Sequence, residues 1–580
     1  MHKHTVSQSN ISFTPKKISN SRSTTDVREM ENNEAPARQK ASLIAILLII
    51  VNDAIQKVVT RGVVSVMVMY LTEGCNMTPI KATNVVFFWE AATSAISFLG
   101  GFVSDSYLGR FLYIGFGSLS TTLGIFLLWL TTIIPKSESC GDCGPLTQCC
   151  SSSPTTLGLA FLFSSFVLIT VGSGGVNCSV AFAIDQLGIS QQQRALARFF
   201  MFYYASSSVL VVISYIEATN VVDEFGWKKS FGVPVIPLFL FAILFLLASP
   251  FYSKEKPKEK NLVTSFVQVI VAACKKRNLS FPVSNSSECY LPEKDSEIAM
   301  PSDKLRFLNK ACMVSDRDEE IAPDGSTLNP WRLCTIVQVE ELKALLKVLP
   351  VWSTGIILWV NASHTKFMLL QASSMDRHLS QNFEIPTAVF ASFSAVIMFI
   401  WIVLYNTVIL PLASKIKGEP VQLDVMARMG IGLFLSYLAM EFSVGVESLR
   451  RGKVLQEGNS MGMSAMWLLP QCCLIGLGEA FTAIGHVEFF YTEFPRTMSS
   501  IAVSLLGLET TVADWLSGVV VTTVSNLTSM ERKEMTWNDM NQAPLKYYYQ
   551  ILAAMSYINT LYFFFCGWKY GPCEQPSEEN

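Results

Sequence analysis

Charge is scarce in this chain. Asp, Glu, Lys and Arg together make up 16% of its 580 residues, against 50% hydrophobic, and there are only five histidines. A soluble chain carries about 25% charged residues, so long parts of this one cannot face water. The net charge of −2 offers no basic surface for nucleic acid. No metal-ligand cluster, nucleophile elbow or phosphate loop is present, so the sequence argues against an enzyme and implies no cofactor. The first forty residues lack any apolar run and are rich in Ser, Asn and Lys. They read as a disordered tail, 1–41, with no cleavable signal peptide. The end, Glu578-Glu-Asn580, carries no retention address, which leaves the plasma membrane as the default location.

A disulfide framework is missing too. Most of the 14 cysteines lie singly in apolar blocks, where Cys behaves as a small hydrophobe. Cys140, Cys143, Cys149 and Cys150 are the exception, grouped in one short polar loop. Cys140-Gly-Asp-Cys143 can be read as half a metal site or as part of a loop disulfide, and the second reading suits an outside loop.

What is present is long apolar blocks. A span needs roughly 20 apolar residues, and candidates run at 42–71, 80–103, 111–134, 155–184, 197–217 and 231–252. They resume at 343–369, 386–410, 424–446, 462–490, 498–525 and 547–569. The pattern predicts an all-α membrane protein with two sets of six helices and both termini on one side. The domains expected are a six-helix bundle at 42–252, a linker at 253–335, a second bundle at 336–571 and a tail at 572–580.

Lys16, Lys17, Arg22, Arg28, Arg38, Lys40, Arg194, Arg198, Lys415 and Lys417 fall on the side of the termini, which the positive-inside rule makes cytoplasmic. Arg450, Arg451 and Lys453 break the rule by falling outside. The sequons at Asn76 and Asn526 and the cysteine loop are then expected in outside loops, and the Asn285 sequon inside. In the linker, 261–277 is apolar on one face and ends in Lys275-Lys276-Arg277, an amphipathic helix expected on the cytoplasmic membrane surface. The linker as a whole reads as a tether that lets two bundles rock.

The clearest local motif is Gly100-Gly101-Phe-Val-Ser-Asp105-Ser-Tyr-Leu108-Gly109-Arg110, between the second and third spans. It resembles the loop signature of major-facilitator transporters, with Gly101, Asp105, Gly109 and Arg110 as its gating residues. Trp331-Arg-Leu-Cys-Thr335, Leu349-Pro-Val-Trp-Ser-Thr354, Gln371-Ala-Ser-Ser-Met-Asp-Arg377, Gly478-Glu-Ala-Phe481, Glu488-Phe-Phe-Tyr491 and Phe494-Pro-Arg496 extend the likeness. From about 42 to 573 the chain resembles the plant nitrate and peptide transporter family within the proton-coupled oligopeptide transporters.

That resemblance implies a major-facilitator fold with a central cavity open alternately to either side. It also implies proton-driven uptake through a Glu-x-x-Glu-Lys/Arg motif on the first helix and a base on the fourth. Here the first helix reads Asn52-Asp53-Ala54-Ile55-Gln56-Lys57, so Asp53 stands for the first acid and Lys57 for the base, while Gln56 cannot titrate. The fourth reads Gly172-Ser-Gly174-Gly175-Val176-Asn177, so the base there has become Asn177. One acid and one base are lost together. Asp53 and Lys57 remain, four apart on one face with Arg61 a turn further, either as a titrating pair or as a static one.

Glu479 matches a cavity-facing Glu of the family's tenth helix; a structural hydrogen-bond hub is the plain alternative. Glu509 and Asp514 in the eleventh span, and Glu90 in the second, are further candidate acids, the first two about 140° apart on their helix. Asn177, Tyr203, Ser208, Trp359 and Glu479 are the expected cavity residues, with Tyr204, Trp352 and Phe481 near them. The nitrate-binding His of a relative falls on Ala362, and His364 reads as structural. The Asn used by peptide carriers falls near Ser208. The expected substrate is a small anion, nitrate first, moved with protons. Larger organic solutes such as hormones, glucosinolates or peptides, or a receptor that has lost transport, are the alternatives.

Overall fold

The computed structural model describes residues 24–134, 137–140, 150–153, 155–187, 193–252, 262–281, 289–292, 300–315, 320–322, 327–381, 383–418, 423–457, 463–495, 498–531 and 544–570. The first half holds α1 (Thr24–Met69), α2 (Pro79–Val103), α3 (Arg110–Thr131), α4 (Thr156–Leu187), α5 (Gln193–Gly232) and α6 (Val235–Leu247). α5 turns sharply at Gly226, whose φ of 72° breaks the helix, and its last turns join α6. A linker helix, α7 (Leu262–Lys275), follows. The second half holds α8 (Ile336–Ala362) continued by α9 (Thr365–Ser373), and α10 (Thr387–Leu404) continued by α11 (Leu410–Lys417). α12 (Val425–Glu457), α13 (Leu469–Glu493), α14 (Ser499–Glu531) and α15 (Leu545–Tyr570) complete it.

The two halves pack as separate bundles that meet along two seams, α2 against α14 and α5 against α10. At the first seam Asn84 Nδ2 donates to Thr522 Oγ1 at 3.1 Å. Among the described residues nine helical segments are long and apolar enough to cross a bilayer. α1, α2 and α5 are not among the nine; α1 carries Asp53, Lys57 and Arg61, and α2 carries Lys81 and Glu90. The outer surface is apolar: Phe116, Leu119, Leu123 and Phe126 of α3 are exposed at helical spacing, as are Ile558, Leu561, Phe564 and Phe565 of α15. Such a surface is stable only against lipid.

Glycine sets two close approaches in the first bundle. Tyr113 of α3 fills a slot between Gly100 and Gly174, where any Cβ would collide with its hydroxyl. Gly109, with φ of 77°, ends the π-helical turn Ser104–Leu108 and starts α3, a backbone angle open to Gly and costly for other residues. Gly101 and Arg110 flank that turn as the transporter motif requires; the Asp105 side chain lies outside the described residues.

α1 begins at Thr24, ahead of the apolar span that the sequence places at 42–71. A spanning helix has already met the cost of nucleation, and each added residue gains a bond. Asn526 sits within the last turns of α14, not in a loop. The architecture is helical as expected; beside the helices, Ser137–Cys140 and Cys150–Ser153 pair as an antiparallel hairpin that sets Cys140 opposite Cys150. His378–Ser380 and Phe383–Glu384 form a second. Cys143, Cys149, the sequon at Asn285 and the tails 1–23 and 571–580 lie outside the described residues.

The linker is a docked piece rather than a loose tether. α7 buries Phe266, Val269, Ala272 and Ala273 in one core with Leu308, Ala311, Cys312 and Met313 of the linker, Val339 and Leu342 of α8, and Phe489, Phe490 and Phe494 of α13. Lys276 Nζ donates to Met313 O at 2.6 Å and pairs with Glu320 at 3.0 Å. The apolar face meets protein, while Val267 and Ile270 remain exposed on the other side. Burial pushes the Cys312 thiol up to about 12, so it stays protonated.

The structure accounts for one of the three residues that break the positive-inside rule. Arg450 is fully buried, with Nε 2.8 Å from Glu447 Oε2 and Nη2 2.8 Å from Glu447 Oε1. Gln371 Nε2 donates to the same carboxylate at 2.7 Å. Arg450→Met is expected to destabilise by about 3–5 kcal/mol, because it leaves Glu447 buried and unpaired. Melting of the detergent-solubilised protein checks this, and Glu447→Leu with Arg450→Met together should recover most of the loss.

Candidate functional site

Charges inside the bundles lie close to α1. Asp53 is 7% exposed, and its Oδ2 pairs with Lys57 Nζ at 2.6 Å. One helical turn brings positions i and i+4 together, so the pair forms within α1 itself. Lys57 Nζ also contacts the Tyr203 hydroxyl of α5 and lies 4.2 Å from the centre of that ring. Gln56 Nε2 donates to Ser118 Oγ at 2.6 Å and Asn52 Nδ2 to the same oxygen at 3.1 Å, so the amide that replaces the family's second acid is tied to α3 without charge. Lys57 is thus fully engaged.

Arg61 is not. Eight residues after Asp53, about 12 Å further along α1, it is exposed and makes no hydrogen bond or ion pair with any described residue. It lies within electrostatic reach of Tyr203 and Tyr215 on α5 and Asp514 on α14. Its neighbour Gly62 faces Ser214 and Ala218 of α5.

The second bundle contributes acids at two levels. Glu509 is fully buried; Trp359 Nε1 donates to its Oε2 at 3.2 Å, and His486 Nδ1 lies 3.3 Å from its Oε1. Asp514, five residues on, faces elsewhere and accepts from Ser363 Oγ at 3.1 Å, as the angular separation on α14 requires. Lys366 of α9 pairs with Glu90 of α2 across the first seam. Glu479 is half-buried, within electrostatic reach of Tyr215, and accepts no hydrogen bond from a described residue. His364 is buried in the second bundle, its Nδ1 held by Asn361 O and its ring edge-on to Tyr549, a structural residue. The side chains of Asn177, Ser208 and Tyr204 lie outside the described residues.

Asp53, Lys57 and Tyr203 therefore meet in one cluster, while Glu509 and Trp359 meet in another with His486. Two bases were missed on sequence. Lys366 had a usable signal, a lysine inside an apolar span. His486 lies seven residues after Glu479, two turns along nearly the same face. No group of three or more metal-ligating side chains occurs among the described residues.

Two helical bundles with charged groups between them, wrapped in an apolar surface, define a membrane transporter of the major-facilitator type. The POT family (PTR2) is matched over residues 111–538, and the chain belongs to that family. It is 48% identical over 565 residues to Protein NRT1/PTR FAMILY 1.2 of Arabidopsis thaliana, covering 94% of this chain and 92% of that one. It is 46% identical to Protein NRT1/PTR FAMILY 1.1 of the same plant, over 92% of each. The fold is similar to that of the POT family transporter PepTSo, with a TM-score of 0.66 at 18% identity, covering 91% of this chain and 98% of that one. A second likeness is to an auto-inhibited POT family peptide transporter, with a TM-score of 0.65 at 17% identity, over 92% and 99%.

Room for the Glu509–His486 contact comes from Gly355 of α8: a Cβ there would stand 2.7 Å from Glu509 Oε2 and collide with the imidazole. Gly355→Val is expected to cost about 1–3 kcal/mol through overpacking. Thermal melting measures the loss, and His486→Ala in the same chain should return part of it.

Proposed function

We propose that this protein is a proton-coupled carrier of a small oxyanion, nitrate first, working by alternating access in the plasma membrane with both termini in the cytoplasm. The observation that carries the reading is Arg61. A guanidinium on a helix that crosses the bilayer is expensive unless something neutralises it, and no described residue makes an ion pair with it. Lys57 offers no such vacancy, since Asp53 and Tyr203 hold it. The planar fork of Arg matches the geometry of a planar oxyanion through two parallel hydrogen bonds.

Alternating access follows from the two seams. Substrate between α1, α5 and α14 touches both bundles, and rocking at α2–α14 and α5–α10 exposes it to one side and then the other. Tyr203, Tyr215 and Trp359 around the same space favour a second reading, a larger organic solute that presents a carboxylate to Arg61.

Uptake of labelled nitrate into oocytes, in acid and at neutral external pH, tests the reading. The wild type is expected to take up more in acid. Arg61→Gln should abolish uptake with surface expression intact. Arg61→Lys, which keeps the charge and loses the fork, should weaken it about tenfold, or ~1.4 kcal/mol. Nitrate uptake that is unchanged in Arg61→Gln would sink the assignment. Wild-type uptake of organic carboxylates without nitrate would favour the second reading.

A further inference from the structure

The family's coupling motif is reduced here, which leaves open where the proton binds. Glu90 and Lys366 offer a place that straddles the bundles. Glu90 comes from α2 in the first bundle and Lys366 from α9 in the second; they are paired, and their side chains are only 15% and 14% exposed. Lys366 Nζ also lies 4.2 Å from the centre of the Phe87 ring, itself fully buried, so the pair is shielded from water. Asp514 of α14 is 9% exposed, bound by Ser363 one turn before Lys366, and within electrostatic reach of Glu90, Lys366 and Arg61.

The charges balance only while Arg61 serves the acids. Glu90 and Asp514 carry two negative charges, and Lys366 and Arg61 two positive ones. The other titratable groups facing this cluster are Tyr215 of α5, within electrostatic reach of Arg61, Glu90 and Glu479 of α13, and Tyr203 of α5, within reach of Arg61 and Asp53. Two carboxylates close together in a low dielectric cannot both stay ionised without opposite charge. An anion on Arg61 withdraws one positive charge from the cluster, and a proton on either carboxylate restores the balance.

We propose that Glu90 and Asp514, bridged by Lys366, form the site that takes up the coupling proton, and that an oxyanion on Arg61 is what loads it. The step is a carboxylate gaining a proton from the solution as the anion arrives, so one charge of each sign enters together. Glu90 and Lys366 stand on opposite bundles, so the proton count also sets how firmly the α2 side of the molecule is held to α9. This inference rests on the oxyanion reading and adds the identity of the proton site.

Purified protein in weakly buffered detergent solution provides the test, with nitrate as the probe, a pH dye as one readout and nitrate affinity against pH as the other. The wild type is expected to take up about one proton per nitrate bound, and its Kd to rise about tenfold per pH unit where the site titrates. Glu90→Gln and Asp514→Asn each imitate the protonated site. Each should bind nitrate without proton uptake and keep at neutral pH the affinity that the wild type has in acid. If Glu90→Gln does not elute as a folded protein, Glu90→Gln with Lys366→Met, which removes both charges, takes its place.

Proton uptake and pH slope unchanged in both variants would overturn the proposal and leave the oxyanion reading standing. Nitrate bound by the wild type with no proton uptake would do the same. Absence of nitrate binding in the wild type would overturn the oxyanion reading, and this inference with it.

Discussion

A charge at bilayer depth must find its opposite inside the protein, and most of this structure follows from that requirement. Asp53 is answered by Lys57 within one turn of α1. Glu447 is answered by Arg450 within one turn of α12. Glu90 is answered by Lys366, but only from the other bundle. The first two pairs are complete within a single helix and survive any motion of the bundles. The third depends on how the bundles sit. The distinction separates charges that stabilise a helix in the membrane from charges that respond to transport. Arg61 completes the series as a charge that makes no ion pair with a described side chain and acts on Asp514 only at a distance.

The reduced motif gains a physical meaning in this setting. Where the family has a second acid, Gln56 ties α1 to α3 through Ser118. An acid there would have needed a counter-charge, and the position of the family's base on α4 holds Asn177, which is neutral. Asp53 and Lys57 are left as a closed pair with Tyr203 against them. The acids that look out of place for the family, Glu90, Glu509 and Asp514, lie nearer the two seams and the cavity. Neutral residues stand at two of the inherited positions, and the acids Glu90 and Glu509 lie against bases, Lys366 and His486, that the inherited motif does not use.

Much of the fold could be read from the sequence because bilayer thickness fixes the length of an apolar block. Six blocks, a polar interval and six more blocks announce two bundles, and the glycines at Gly100, Gly101 and Gly109 mark a tight turn between helices. Helix ends were less legible. The stretch 24–41 has no continuous apolar run, yet α1 begins at Thr24, because elongating an existing helix is inexpensive. The candidate site was legible as a list of charges and not as an arrangement. Asp53 with Lys57 follows from spacing alone. Glu509 with His486, and Glu90 with Lys366, join residues whose separation in the chain carries no signal. The fate of α7 was hidden for a similar reason: one apolar face suits a membrane surface and a protein groove equally, and only the partners, Leu308 to Met313 and α8, decide between them.

Arg450 has a consequence for how the chain enters the membrane. Glu447 and Arg450 are three residues apart, so the carboxylate and guanidinium can meet as soon as that stretch of α12 is helical, before any other helix has arrived. The pair then leaves the insertion machinery electrically neutral. Arg450 has no weight in choosing which way α12 threads, and that choice falls to charges that no neighbour within their own helix neutralises. Pairing within a nascent helix is how a buried arginine avoids casting a vote.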